Sequence, residues 1–316
     1  MSLEDVDPEL RAMIAEWPGF DFTAVPLDVI RNAPQRFAPM EPPAPQPVEH
    51  ILPGRGGNPD VRVLVVDPSP GAQDRPVLLH IHGGGYVIGS ADSSVATVQS
   101  MAMKCGIPIV TVDYRLAPET RFPGSLEDNY AALCWLAGEG ADELGVDPAR
   151  IAIGGESAGG GHSAMLAIAA RDRGGPAIAF QMLVYPMLDD RAGSTVDLPA
   201  HIGRHIWQSA HNRFGWEALT GVPAGVGEPP YGSVPARVAD LSGLPPAWIG
   251  CGALDLFIDE NLDYARRLIA AGVHTEVCVM PGAYHGFDGL VPKAAVSRKF
   301  TASKIEALKR CLGLSI

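Results

Sequence analysis

Ser157 stands between paired glycines in Gly155-Glu156-Ser157-Ala158-Gly159, after the apolar run RIAIG (150–154) and before a stretch of helical spacing, AGGGHSAMLAIAARD. A strand-to-helix turn this tight holds a serine with its hydroxyl exposed, and glycines two residues to either side let the chain turn and pack without Cβ clashes. A hydroxyl is a weak nucleophile, so it needs a base for its proton and donors for the oxyanion that its attack creates. His82-Gly83-Gly84-Gly85-Tyr86, directly after the run VLLHI (77–81), offers the donors. Three consecutive glycines can aim neighbouring N–H groups at one point. We assign Gly84 and Gly85 as two donors, Gly83 as their neighbour, and Ala158 as the third. Chance would supply about 0.01 matches to H-G-G-G in such a chain, against about 0.2 for G-x-S-x-G, so the glycine run carries more information. Cradling a phosphate is the rival use, but no G-x-x-x-x-G-K-[ST] follows.

The base is expected downstream of Ser157, because hydrolases with this turn run Ser, acid, His along the chain. His82 precedes the serine and reads as the residue that orients the glycine loop by hydrogen bonding. Of the later histidines, His162 lies in the helix after the serine, and His274 precedes its strand, at the wrong edge of a parallel sheet. His201, His205 and His211 fall in a long insertion. Only His285 follows a strand, TEVCVM (275–280), in a glycine-flanked loop, PGAYHGFDG. Asp255 likewise follows PAWIGC (246–251) and precedes a helix, where its carboxylate can fix the tautomer of an imidazole. Asp259 is the rival acid, and N-capping is the plain structural role for Asp255.

These residues need a scaffold. Short apolar runs predict strands at 48–52, 61–66, 77–81, 107–112, 150–154, 179–185, 246–251 and 275–280, alternating with helices near 92–104, 124–138, 159–172, 260–271 and 293–311. That order predicts an α/β fold, a mainly parallel eight-stranded sheet with helices on both faces. In the helix at 260–271, Leu262, Ala265, Leu268 and Ile269 recur at one-face spacing. Residues 1–46 end in a Pro-rich run, APMEPPAPQP (38–47), which reads as a tether. Core then spans 47–185 and 246–316, split by residues 186–245, far longer than an ordinary connection and read as a cap over the sheet's C-terminal edge. Tyr86, Trp207, His211 and Phe214 are candidate pocket residues, and Trp17, Phe20 and Phe22 could be cap core or acyl-pocket wall.

Composition narrows the functions. The net charge of −12, with 19% charged residues, leaves no basic field for nucleic acid or anionic lipid. Cys105, Cys134, Cys251, Cys278 and Cys311 include no C-x-x-C pair and fit a reducing compartment. With no signal-like N-terminus and no membrane-length apolar run, the protein is expected to be soluble and cytoplasmic, without stable membrane association. His201 and His205 have i, i+4 spacing, but H-I-G-R-H lacks the glutamate of H-E-x-x-H, so no metal site is expected.

HGGGY, DYRLAPE (113–119), GESAG, DLFIDE (255–260) and YHGF (284–287) resemble, in order and spacing, the hormone-sensitive-lipase-like (bacterial family IV) esterases over about residues 80–290. The resemblance implies an α/β-hydrolase fold, a cap from the N-terminal residues and the insertion, and hydrolysis of short to medium acyl esters without metal or organic cofactor. It also implies Ser157, Asp255 and His285 as the triad, a small-molecule ester as partner, and possible homodimerisation. Glu156 stands where the family more often has Asp or Thr, and Leu256 where it often has Pro. Glu156 keeps a carboxylate, and with His82 it is placed in support of the site. Plant gibberellin receptors resemble the same family but lack the catalytic histidine; His285 favours an enzyme here.

Overall fold

The structure, a computed structural model, describes residues 3–17, 19, 22, 25–32 and 45–315. Phe20 and residues 38–44 of the Pro-rich run lie outside the described residues.

Eight strands form one sheet: β1 (Val48–Leu52), β2 (Val61–Val66), β3 (Arg75–Ile81), β4 (Ile109–Val112), β5 (Val146–Glu156), β6 (Phe180–Val184), β7 (Ala247–Gly252) and β8 (Thr275–Met280), in the order β1-β2-β4-β3-β5-β6-β7-β8. β2 pairs antiparallel with β1 and β4, and every other pairing is parallel. The helices are α1 (Arg11–Glu16), α2 (Leu27–Arg31), α3 (Ala91–Cys105), α4 (Gly124–Leu136), α5 (Glu139–Leu144), α6 (Ala158–Asp172), α7 (Ser209–Thr220), α8 (Ile258–Ala270), α9 (Phe287–Leu290) and α10 (Ala295–Cys311).

The central strands are apolar runs because both faces are covered. Val77, Leu79, Ile81, Ile151 and Ile153 point into one core with α4, α6 and α8; Leu78, Ala152, Phe180 and Met182 point into the other with α3 and α10. This alternation is the two-residue period of a strand read from both sides. The first core holds α6, buried from Ala158 to Ala170. A Cβ on Gly159 would stand 1.9 Å from the Ile81 carbonyl oxygen, so glycine there lets α6 approach β3.

One expectation needs correction. On α8 the buried face is Ile258, Asn261, Tyr264, Ala265 and Leu268, whereas Leu262 and Ile269 are 42% and 56% exposed. The helix expected near 293–311 is α10, Ala295–Cys311, with the short α9 before it.

The stretch 186–245 contributes no strand to the sheet and carries α7. Its start is tied to α8: Asn261 Nδ2 donates to the Pro186 carbonyl at 2.7 Å, and Glu260 Oε1 accepts the Leu188 and Asp189 N–H groups at 2.7 and 3.2 Å. Buried Asp190 holds both Arg237 Nε and Nη2 at 2.7 Å, closing the segment on itself. Among the described residues, no helix is long and apolar enough to cross a membrane.

Candidate active site

Ser157 directly follows β5 and caps α6 at φ 59° and ψ −121°, a positive-φ conformation that bulky side chains rarely adopt. The turn is fastened from both sides. The Ser157 N–H donates to Val184 O at 2.9 Å, and Ser157 O accepts from Gly161 and Met187 at 3.0 and 3.1 Å. These bonds offset the strain and leave the hydroxyl facing His285, whose Nε2 lies 2.9 Å from Ser157 Oγ.

His285 sits between β8 and α9, with Gly286 beside it at φ 73°. Its Nδ1 lies 2.8 Å from Asp255 Oδ2, and Asp255 Oδ1 accepts the Phe257 N–H at 3.0 Å. Ser157, His285 and Asp255 are all buried, at 8%, 6% and 1% exposure, so these hydrogen bonds work in a medium of low dielectric. Asp259 is exposed on α8. Leu256, in the position often held by proline, is fully buried, and packing holds the acid loop there.

The glycine loop abuts the serine: a Cβ on Gly83 would lie 3.4 Å from Ser157 Cβ. Gly84 and Gly85 take φ 120° and 57°, and Gly84 O accepts from Val87 and Ile88, each at 3.0 Å. Among the described residues, no backbone carbonyl takes the N–H of Gly84, Gly85 or Ala158. His82 Nδ1 donates to Gly83 O at 2.8 Å, and its ring stacks on Tyr114 at 4.1 Å. Burial pushes the His82 imidazole down to about 4, so at neutral pH it is an uncharged strut of the loop.

Glu156 is half-buried beneath the turn, with Oε2 3.0 Å from His80 Nε2. Burial alone would raise its pKa; the charge and hydrogen bond of His80, with Lys304 beyond, bring the carboxyl down to about 2.

Trp207, His211 and Phe214 come together with Phe22 of the N-terminal segment. The Phe22 ring stacks on Phe214 at 5.1 Å and meets Trp207 and His211 edge-on at 6.0 and 5.4 Å. Trp207 reaches the imidazole of His285, 6.4 Å between centroids, and a Cβ on Gly85 would strike its ring at 2.1 Å. The aromatic group therefore lies over both the glycine loop and the histidine.

Tyr86 does not fit the pocket position expected of it. It is 1% exposed, its hydroxyl donates to Met187 O at 2.9 Å, and its ring packs on His162 and Trp216 at 4.8 and 5.1 Å, so it braces the loop from inside. His162 is buried in α6, and His201 and His274 are exposed. His205 is not on a helix with His201. Among the described residues, no three metal-binding side chains cluster.

Sequence reasoning missed Tyr185 and Phe257, which meet the His285 ring edge-on at 4.8 and 5.1 Å. It also missed Arg31, which donates to Val87 O at 2.8 Å and Ala117 O at 2.9 Å and so ties α2 to the glycine loop.

A mainly parallel sheet that presents a serine on a strand-to-helix turn, with a histidine and an aspartate on later loops, defines an α/β-hydrolase. The chain belongs to that family, in its hormone-sensitive-lipase-like branch, and a family model for the alpha/beta hydrolase fold matches residues 78–289. It is 36% identical to carboxylesterase NlhH of Mycobacterium tuberculosis over 98% of this chain and 97% of that one. It is 33% identical to an ethyl acetate hydrolase of Pseudomonas putida over 68% of each. Among solved structures it is similar to a bacterial heroin esterase, with TM-score 0.87, 37% identity and 99% coverage of both chains.

Proposed function

We propose that the protein is a serine carboxylesterase that hydrolyses neutral esters of short to medium acyl chain. The observation that carries this reading is the unbroken line from Ser157 Oγ through both nitrogens of His285 to Asp255, at 2.9 and 2.8 Å. The aspartate accepts an Nδ1–H, which leaves the Nε2 lone pair for the serine proton. His285 takes that proton as Oγ attacks the ester carbonyl, and the N–H groups of Gly84, Gly85 and Ala158 receive the oxyanion. The imidazolium then protonates the departing alcohol. Water, deprotonated by the same imidazole, cleaves the acyl-enzyme and returns the serine. Every step uses side chains and backbone of this chain.

The acidic surface supports neutral over anionic substrates. The aromatic group of Phe22, Trp207 and Phe214 supports a short to medium acyl chamber, roofed by the N-terminal segment and residues 186–245. Relatives named for ethyl acetate and heroin support an ester as substrate. Ser157→Ala tests the reading: p-nitrophenyl butyrate hydrolysis should fall by at least about 10⁴-fold with the circular dichroism unchanged, and retained turnover refutes it.

A further inference from the structure

Lys304 on α10 is a lysine 4% exposed, its ammonium 2.8 Å from Asp288 Oδ2. Lysines are almost never buried this deeply without a partner, and an apolar residue of similar volume would pack at least as well. The pair lies next to the site. Asp288 follows His285 by three residues and accepts the Tyr185 hydroxyl on its other oxygen at 2.8 Å. Tyr185 then meets the imidazole edge-on, 4.8 Å between centroids at 64°.

Tyr185 is held at three points. Its N–H donates to Gly250 O at 2.6 Å, its hydroxyl is fixed by Asp288, and its ring lies parallel to Phe300 at 6.2 Å. Its backbone takes φ 33°, a region where a bulky residue is an outlier and where strain marks a constrained position.

We propose that Lys304, Asp288 and Tyr185 form a positioning unit for His285, the ion pair fixing the tyrosine hydroxyl and the tyrosine ring fixing the rotation of the imidazole. The inference rests on reading His285 as the base and adds residues that no part of that reading requires. Burial works against the ammonium of Lys304, and Asp288 and Glu156 outweigh it, so the cation persists.

The groups around His285 come from every neighbouring element. Asp255 and Phe257 face it from the β7–α8 loop, Ser157 from the turn, Tyr185 from the end of β6, and Trp207 from the insertion. Glu260 stands on α8, Glu156 with His80 lies beneath the turn, and His205 packs on the adjacent Tyr284. Among these, the two charges of the ion pair act on an imidazolium with opposite signs. Removing the Lys304 charge alone leaves a carboxylate that favours the imidazolium; removing the Asp288 charge alone leaves an ammonium that opposes it.

The test uses the full-length protein and the pH dependence of kcat/KM for p-nitrophenyl butyrate. Lys304→Met should move the acid limb to higher pH by about half a unit, and Asp288→Asn should move it to lower pH by a similar amount. The double variant, which leaves no unpaired charge from this ion pair, keeps the test decisive where a single variant fails to fold; its limb should fall within about 0.2 unit of the parent. Tyr185→Phe and the double variant should lose about three- to tenfold in kcat with KM changed less than twofold. Parental kcat in both, or limbs of the single variants that coincide or move together, overturns the proposal. Ser157→Ala or His285→Ala retaining activity would instead remove the reading beneath it.

Discussion

Asp255→Asn isolates the role of the acid, because the two oxygens of Asp255 have different partners. Oδ1 accepts the Phe257 N–H at 3.0 Å and Oδ2 faces His285 Nδ1 at 2.8 Å. An asparagine has one acceptor. If its oxygen stays with Phe257, the amide NH2 faces Nδ1, drives the imidazole proton to Nε2, and leaves no lone pair for the serine. A wrong tautomer costs about 10⁴-fold in kcat, or about 5.5 kcal/mol. If the amide flips, the tautomer is right, but a buried N–H meets the Phe257 N–H at a cost of about 1–3 kcal/mol. The imidazolium also loses its charged acceptor, about 1.5–3 kcal/mol more. Either route predicts a fall of between about 10² and 10⁴ in kcat on p-nitrophenyl butyrate, with KM little changed and the fold intact by circular dichroism. Exposed Asp259→Asn should stay within about twofold. Asp255→Asn within tenfold of the parent, or an equal loss in Asp259→Asn, would refute the reasoning.

Trp207→Ala removes the ring over Gly85 and His285 and should raise the octanoate to butyrate ratio of kcat/KM at least about threefold, measured on p-nitrophenyl esters. An unchanged ratio would place the acyl chain elsewhere. Gly159→Ala sets a Cβ against the Ile81 carbonyl oxygen and should cost about 3 kcal/mol or more, read as a lower urea midpoint. His82 and His162 should make stability fall with acid. Burial pushes them down to about 4 and 3, so below about pH 6.5 the unfolded chain binds protons that the folded chain refuses. Stability falls from there towards pH 4, by up to about 1.4 kcal/mol per pH unit for each histidine. His162→Leu, replacing a ring whose nitrogens have no protein partner among the described residues, should flatten that slope in melting curves from pH 7 to 4.5.

What the sequence made legible followed how local its signal is. β1, β2 and β8 begin and end where their apolar runs do, and Ser157, His285 and Asp255 could be singled out because each follows a strand that can be read alone. The phase of α8 was misread for a physical reason. Its buried face includes Asn261 and Glu260, polar residues that hold the insertion, so counting only apolar residues rotated the helix toward exposed Leu262 and Ile269. Helix α7 was hidden likewise, since His211, Asn212 and Gly215 share its buried side with Trp216 and Leu219. Tyr86 extends the glycine run, but its ring packs on His162 and Trp216 and its hydroxyl donates to Met187 O, contacts that the sequence around it does not mark. Nothing local marks Tyr185, Asp288 and Lys304 as partners, because only the packing of α10 against β6 and α9 brings them together.

Helix α8 and the loop before it join the insertion to His285. Asp255 and Glu260 lie five residues apart, one orienting His285 and the other accepting the first N–H groups of the insertion. Burial, with Asp189 and Asp255 nearby, pushes the Glu260 carboxyl well above its ordinary range, against the pull of those two N–H groups. The shift favours the neutral acid, the form in which Asp255 is not opposed by a second carboxylate behind the imidazole. The arrangement lets α8 anchor the insertion with a carboxyl biased toward its neutral form, while Asp255 in the loop before it bonds the histidine. Glu260→Gln keeps an oxygen for both N–H groups and imitates the neutral acid that the surroundings favour, so kcat should stay within about threefold on p-nitrophenyl butyrate. Glu260→Ala leaves both donors without an acceptor and should cost about 1–3 kcal/mol in urea unfolding. A Glu260→Gln variant as impaired as Asp255→Asn would mean that the carboxyl is ionised and that its charge takes part in the reaction.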